Sequence, residues 1–150
     1  MRTKLIGLGS LITLYNGIYA VVYGLLMIIF GEIVLSEYFR KIPLNWRIFA
    51  ENFPERAGLH FSLLLIQAFF LISLGVFIVY LSYFILKKRD KLAWVVLFSG
   101  GIVSWASFFI INVLIGSPVI MIFSFIGWVS FVVGMIIPLK YYIRKELPRF

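Results

Sequence analysis

Four stretches of the chain, 5–31, 59–86, 92–115 and 119–139, carry no formal charge and are dominated by aliphatic and aromatic residues. A helix rises about 1.5 Å per residue, so a hydrocarbon core of about 30 Å needs about 20 apolar residues. Each stretch is long enough, and the pattern predicts an all-α bundle of four membrane-spanning helices in one domain, 1–150.

The segment between the first two spans, 32–58, breaks the pattern. It mixes Ile42, Leu44, Trp46, Ile48, Phe49 and Phe53 with Arg47, Glu51, Glu55 and Arg56. Pro43 can open a short helix and Pro54 should end it. Asn52, with Glu55 three residues later, resembles a capping box for the next span. The expectation is a short amphipathic helix at the outer membrane interface, with a lid over an outward cavity as the alternative.

Charge then orients the spans. Arg2 and Lys4 precede the first; Lys87, Lys88, Arg89 and Lys91 crowd the turn after the second; Lys140, Arg144, Lys145 and Arg149 follow the fourth. All ten fall on one side of the membrane. The other side has Arg40, Lys41, Arg47 and Arg56, offset by Glu32, Glu37, Glu51 and Glu55. Cations mark cytoplasmic ends, so both termini are expected inside. The basic turn becomes a cytoplasmic hairpin facing anionic headgroups. The first span exceeds the 7–15 residues of a signal-peptide core, so it reads as a retained anchor.

Composition agrees with a bilayer as solvent. Charged residues make up only 13% and mean hydropathy is +1.06, against about a quarter charged in a soluble domain. The net charge of +8 is topological rather than a nucleic-acid footprint, because the cations sit at segment ends. With no cysteine and one histidine, disulfides, thiolate metal sites and multi-histidine sites are excluded within one chain. The single Gln leans toward a thermophile. The expected location is the plasma membrane of a prokaryote.

Inside the spans the polar candidates are Asn16, Gln67 and Asn112, assisted by Ser104 and by Ser10, Thr13, Ser73, Ser107, Ser124 and Ser130. An amide in hydrocarbon must find a partner. The readings are interhelical hydrogen bonding, in which Gln67 and Asn112 satisfy one another or backbone groups, or a polar pocket for a headgroup, quinone or small solute. His60 with Glu55 and Arg56 suggests an outer cluster able to exchange protons, against a single satisfied interfacial histidine. Tyr15, Tyr19 and Tyr23 share one side of the first helix, either as a ligand cradle or as packing. Trp46, Trp94 and Trp128 suit an interfacial belt, and Trp105 lies deeper.

Gly127, Ser130 and Gly134 line one face of the fourth span, Gly100, Gly101 and Ser104 do something similar in the third, and the first has Gly17 and Gly24. Such stripes allow close helix packing. Pro138 falls where a kink costs little. No Asp or Glu lies within a span core, which argues against proton-coupled pumping. Nucleotide-binding, hydrolase and metalloprotease motifs are absent, so neither catalytic residues nor cofactors are expected.

The stretch from about Phe53 to Met135 resembles the DoxX-like group of small four-helix membrane proteins. The likeness rests on FPERAGLHFSLLLIQAFFLISLG, the basic hairpin KKRDK, the glycine pair in FSGGIVSW and the turn LIGSP. Members often carry an arginine in the third helix and an acidic residue in the fourth. The corresponding stretches here, SWASFF and FSFIGWVSF, have neither. The namesake members are associated with a terminal quinol oxidase. The expected function is a non-catalytic subunit of a larger membrane complex, contributing packing and lipid contacts, with a respiratory complex as the candidate that the resemblance implies. The alternative is a homo-oligomeric lipid- or small-molecule-binding protein or transporter. A membrane enzyme with an outer pocket near His60 is the third reading.

Overall fold

The computed structural model describes residues 2–41, 45–88 and 90–143, without the side chains of Arg2, Thr3, Leu86 and Lys87. The elements are α1 (Arg2–Ile29), α2 (Gly31–Tyr38), a 3-10 turn (Phe39–Lys41), α3 (Trp46–Asn52), α4 (Pro54–Lys88), α5 (Lys91–Ile115), α6 (Pro118–Ile136) and α7 (Leu139–Ile143). No strand occurs among the described residues.

Four helices are long and apolar enough to cross a membrane: Lys4–Ile29, Pro54–Ile85, Lys91–Ile115 and Pro118–Ile136. By this measure the chain is a multi-pass membrane protein. The four long helices form a ring in which α1 packs on α4 and α6, and α5 packs on the same two. α1 and α4 run antiparallel, since Gly17 meets Gly75 and Gly24 meets Ala68, and so do α5 and α6, where Gly101 meets Phe131 and Trp105 meets Gly127.

Local chemistry fixes the element ends. Asp90 accepts hydrogen bonds from the backbone N–H groups of Leu92 and Ala93, at 2.8 and 3.1 Å, and so caps α5 within the basic turn. Gly116 ends α5 with φ of 76°, a left-handed conformation natural to glycine. The Lys41 ammonium lies against its Cα, where a Cβ would stand. Ser117 caps α6 and Pro118 opens it.

Some boundaries depart from the sequence reading. The second long helix starts at Pro54 rather than near residue 59, because proline is well suited to a helix's first turn. Pro54 thus opens α4 as well as closing α3. The expected capping box does not form: Asn52 ends α3 and its Nδ2 donates to the Ile48 carbonyl at 2.8 Å. Asn45 opens α3 by accepting from the Arg47 N–H; Pro43, expected in that role, lies outside the described residues. The fourth long helix stops at Ile136, short of residue 139, since Pro138 disfavours helix just before it.

The closest approach joins α1 and α4. A Cβ added to Gly75 would stand 2.6 Å from the Gly17 carbonyl oxygen, and one on Gly24 would stand 2.7 Å from that of Ala68. Ser10, Gly17, Gly24 and Gly31 recur every seven residues in the sequence, and Ala68, Gly75 and Ser82 do the same on α4. A seven-residue period keeps two helices in contact along a left-handed seam. On the opposite side the aromatic rings do the locking. Trp105 of α5 lies over Gly127 of α6, and Phe131 of α6 lies over Gly101 of α5. Both rings are fully buried.

Candidate functional site

Two polar groupings and one cleft are candidates. The first grouping sits at mid-bundle around Asn16, which is 2% exposed. Asn16 Nδ2 donates to the Gly127 carbonyl at 2.7 Å and to Ser130 Oγ at 2.8 Å. Its Oδ1 accepts from Trp105 Nε1 at 3.0 Å. One amide therefore ties α1, α5 and α6 together, and both ends of it are used. Beside it Tyr19 donates to the Phe123 carbonyl at 2.8 Å. On the α4 side Ser82 donates to Thr13 Oγ1 at 3.0 Å. Gly134 faces Thr13 and Ile12, so the Gly127, Ser130 and Gly134 stripe meets α1 as well as α5. Ser104 is half-buried and takes no part in this network.

The second grouping lies toward the end of the bundle bearing α2 and α3. Tyr38 donates to Gln67 Oε1 at 3.0 Å, and Asn112 Oδ1 stands 3.4 Å from the same hydroxyl. Asn112, wholly buried, donates to the Phe108 carbonyl of its own helix at 2.9 Å. Gln67 and Asn112 thus meet through Tyr38 rather than directly, as the sequence reading had allowed. The reason is α2, which brings a phenol between them. Gln67 Nε2 is buried without a partner. Burial pushes the Tyr38 phenol up to about 12, with the Gln67 hydrogen bond pulling the other way. It remains a proton donor at neutral pH.

Glu55, Arg56 and His60 do not form a cluster. No ion pair or hydrogen bond joins them among the described residues; all three are exposed. Arg56 lies over the Phe53 ring at 5.5 Å. The His60 ring instead packs edge-to-face against Phe39 and Phe49, 5.5 and 5.7 Å away. Aromatic packing is the stronger claim on an imidazole beside so many rings. Of the basic turn, Lys88 lies 5.0 Å over Phe84 and Lys91 begins α5. The side chain of Lys87 and all of Arg89 lie outside the description.

A cleft of about 260 Å³ opens sideways between α1, α2 and α6. Tyr19, Tyr23, Leu26, Ile33 and Phe123 supply apolar wall, and Glu37 is the one acidic residue lining it. Tyr23 is 8% exposed and its hydroxyl has no hydrogen-bond partner. Glu37 Oε2 is likewise buried and accepts no hydrogen bond; the nearest cation, Arg40 Nη1, is 3.7 Å away. Sequence reasoning named the three tyrosines but not Glu37, because only the turn of the chain at Phe30 brings Glu37 back against α1. Tyr15, in the same sequence stripe, points away from the cleft's buried wall and is 63% exposed.

No protein-family model matches the chain, and neither a curated protein nor a solved structure is significantly similar to it. No group of three or more potential metal ligands occurs among the described residues.

Proposed function

We propose that the chain is a non-catalytic integral subunit of a larger membrane assembly, contributing packing and lipid contacts. The observation that carries this reading is Tyr15. It lies eleven residues beyond Lys4 in a span of 26, about 16 Å along the helix, close to the middle of a core about 30 Å thick. Its side chain faces outward and its hydroxyl has no partner among the described residues. A hydroxyl left unpaired in hydrocarbon is costly, and at that depth the phenol cannot snorkel to water. An acceptor on a neighbouring helix satisfies it. The surrounding stripe of Leu8, Leu11, Ile18 and Val22 is exposed too and supplies the apolar part of such a contact.

The assembly we propose sits in a prokaryotic plasma membrane with both termini inside, following the cation distribution. In that orientation Lys88 and Lys91 face anionic headgroups in the cytoplasmic leaflet, and α3 lies at the outer interface. The resemblance to the DoxX-like group makes a respiratory complex the first to examine. A photo-crosslinking residue in place of Ile18 tests the reading in native membranes. We expect capture of another polypeptide, and weaker capture once Tyr15→Phe is added. Adducts with lipid alone contradict it; capture of a second copy alone makes the assembly a homo-oligomer, the alternative reading.

A further inference from the structure

We propose that the cleft between α1, α2 and α6 is a phospholipid site that holds one acyl chain and selects a headgroup bearing a primary ammonium. Size comes first. At about 260 Å³ the cleft falls just below the roughly 300 Å³ at which pockets for drug-sized ligands begin. The upper part of one acyl chain fits there, with the rest continuing into the bilayer. Position comes second. Val22, Leu26, Phe30, Ile33 and Phe123 of its rim are 43–63% exposed, so the cleft opens onto lipid and not onto an aqueous chamber.

The third argument is chemical. An apolar groove in a bilayer accepts any lipid tail, but this one has polar atoms that lack partners. Buried polar groups are normally hydrogen-bonded, and here Glu37 Oε2 and the Tyr23 hydroxyl are buried without a hydrogen bond. A primary ammonium donates to Glu37 Oε2. The phosphate beside it faces the Arg40 guanidinium, which is 61% exposed and suited to phosphate. A glycerol ester carbonyl accepts from Tyr23. The Glu37–Arg40 separation of 3.7 Å is too long for a hydrogen bond, and with the Arg40 side chain 61% exposed the pair is worth little. A zwitterionic head therefore replaces it at small cost.

The test compares lipids that differ only in donor capacity. The full chain is reconstituted in vesicles of phosphatidylethanolamine or phosphatidylcholine mixed with phosphatidylglycerol, extracted in mild detergent, and weighed with its retained lipid by native mass spectrometry. Choline carries the same charge as ethanolamine but has no N–H. We expect at least a tenfold preference for phosphatidylethanolamine in the parent. Glu37→Gln removes that preference, and Leu26→Trp, which fills the cleft, removes the retained lipid. Glu37 and Leu26 are both partly exposed, and unchanged helix content in each variant establishes that the fold is intact. Equal retention of the two lipids by the parent overturns the proposal, as does an unchanged preference in Glu37→Gln or undiminished lipid in Leu26→Trp.

Discussion

Tyr15 and Asn16 are neighbours in α1 at the same depth, yet one is 63% exposed with an unpaired hydroxyl and the other is 2% exposed with its amide bonded at both ends. The helical turn of about 100° between consecutive residues separates the two faces. The inner face shows what this chain does with a polar group in hydrocarbon. Asn16 is given a carbonyl, a hydroxyl and an indole from two other helices. The outer face has no such provision. On the proposed reading, the second residue is satisfied from outside, by an acceptor on a neighbouring helix. That contrast, rather than the abundance of apolar surface, is the reason to place the chain in company. Phe69, Phe70, Phe77, Phe123 and Phe125 are exposed as well, but phenylalanine is at home in lipid and decides nothing.

The strongest way to break the inner face is steric. Gly75→Leu drives a side chain into the backbone of Gly17, which cannot give way as a flexible side chain would. Overpacking typically costs about 1–3 kcal/mol, and with backbone on the other side we expect about 3 kcal/mol, read as loss of the folded bundle in detergent-denaturant titration. Next comes Asn16→Leu. It leaves the Trp105 indole N–H buried and unpaired, and we expect a loss of about 1–3 kcal/mol in the same titration. A fully retained stability after Asn16→Leu would mean that the mid-bundle amide is spare and free for a ligand.

A smaller effect is expected at the other polar grouping. Gln67→Leu removes one bond to Tyr38 while also removing the unpaired Nε2, so the cost should be about 0.6 kcal/mol, the average for hydrogen bonds between membrane helices. The Tyr38 phenol adds a pH signature. Its pKa rises from 10.0 to about 12 in the folded chain, so the fold favours the neutral form. That contribution is fully present below about pH 10 and is lost as pH climbs through 12. Alkaline unfolding of Tyr38→Phe, compared with the parent, should lack this part of the decline. The smallest effect on stability belongs to Tyr15→Phe, which should leave unfolding of the isolated chain unchanged. Its consequence is expected only where a partner is present.

Much of this was legible in the sequence, and the limits have physical causes. Long charge-free stretches identify four spans, because a bilayer imposes a length that few other environments do. Asn16, Ser130 and Gly127 are each conspicuous in one dimension. Their meeting depends on the ring order of the helices, which periodicity within a single helix does not specify. The partners of Gly17 and Gly24 were missed, although Ala68, Gly75 and Ser82 repeat every seven residues in the same way. A search for matched periods between spans would have found them. Glu55, Arg56 and His60 are close in sequence and suggested a cluster, but the imidazole is drawn to rings contributed by α3 and the 3-10 turn. In the sequence Glu37 is one of four acidic residues in the outer segment. Its place in the cleft depends on the break at Phe30, where no proline or strong cap announces a change of direction.

The claim that the chain functions in company is tested most directly by the mass of the species that carries it in native membrane. Extraction into nanodiscs without detergent, followed by mass measurement of the intact particles, separates a single chain of 17.3 kDa from an assembly. The account predicts a protein mass well above one chain, falling toward one chain in Tyr15→Phe. A predominantly monomeric species in the parent would contradict it.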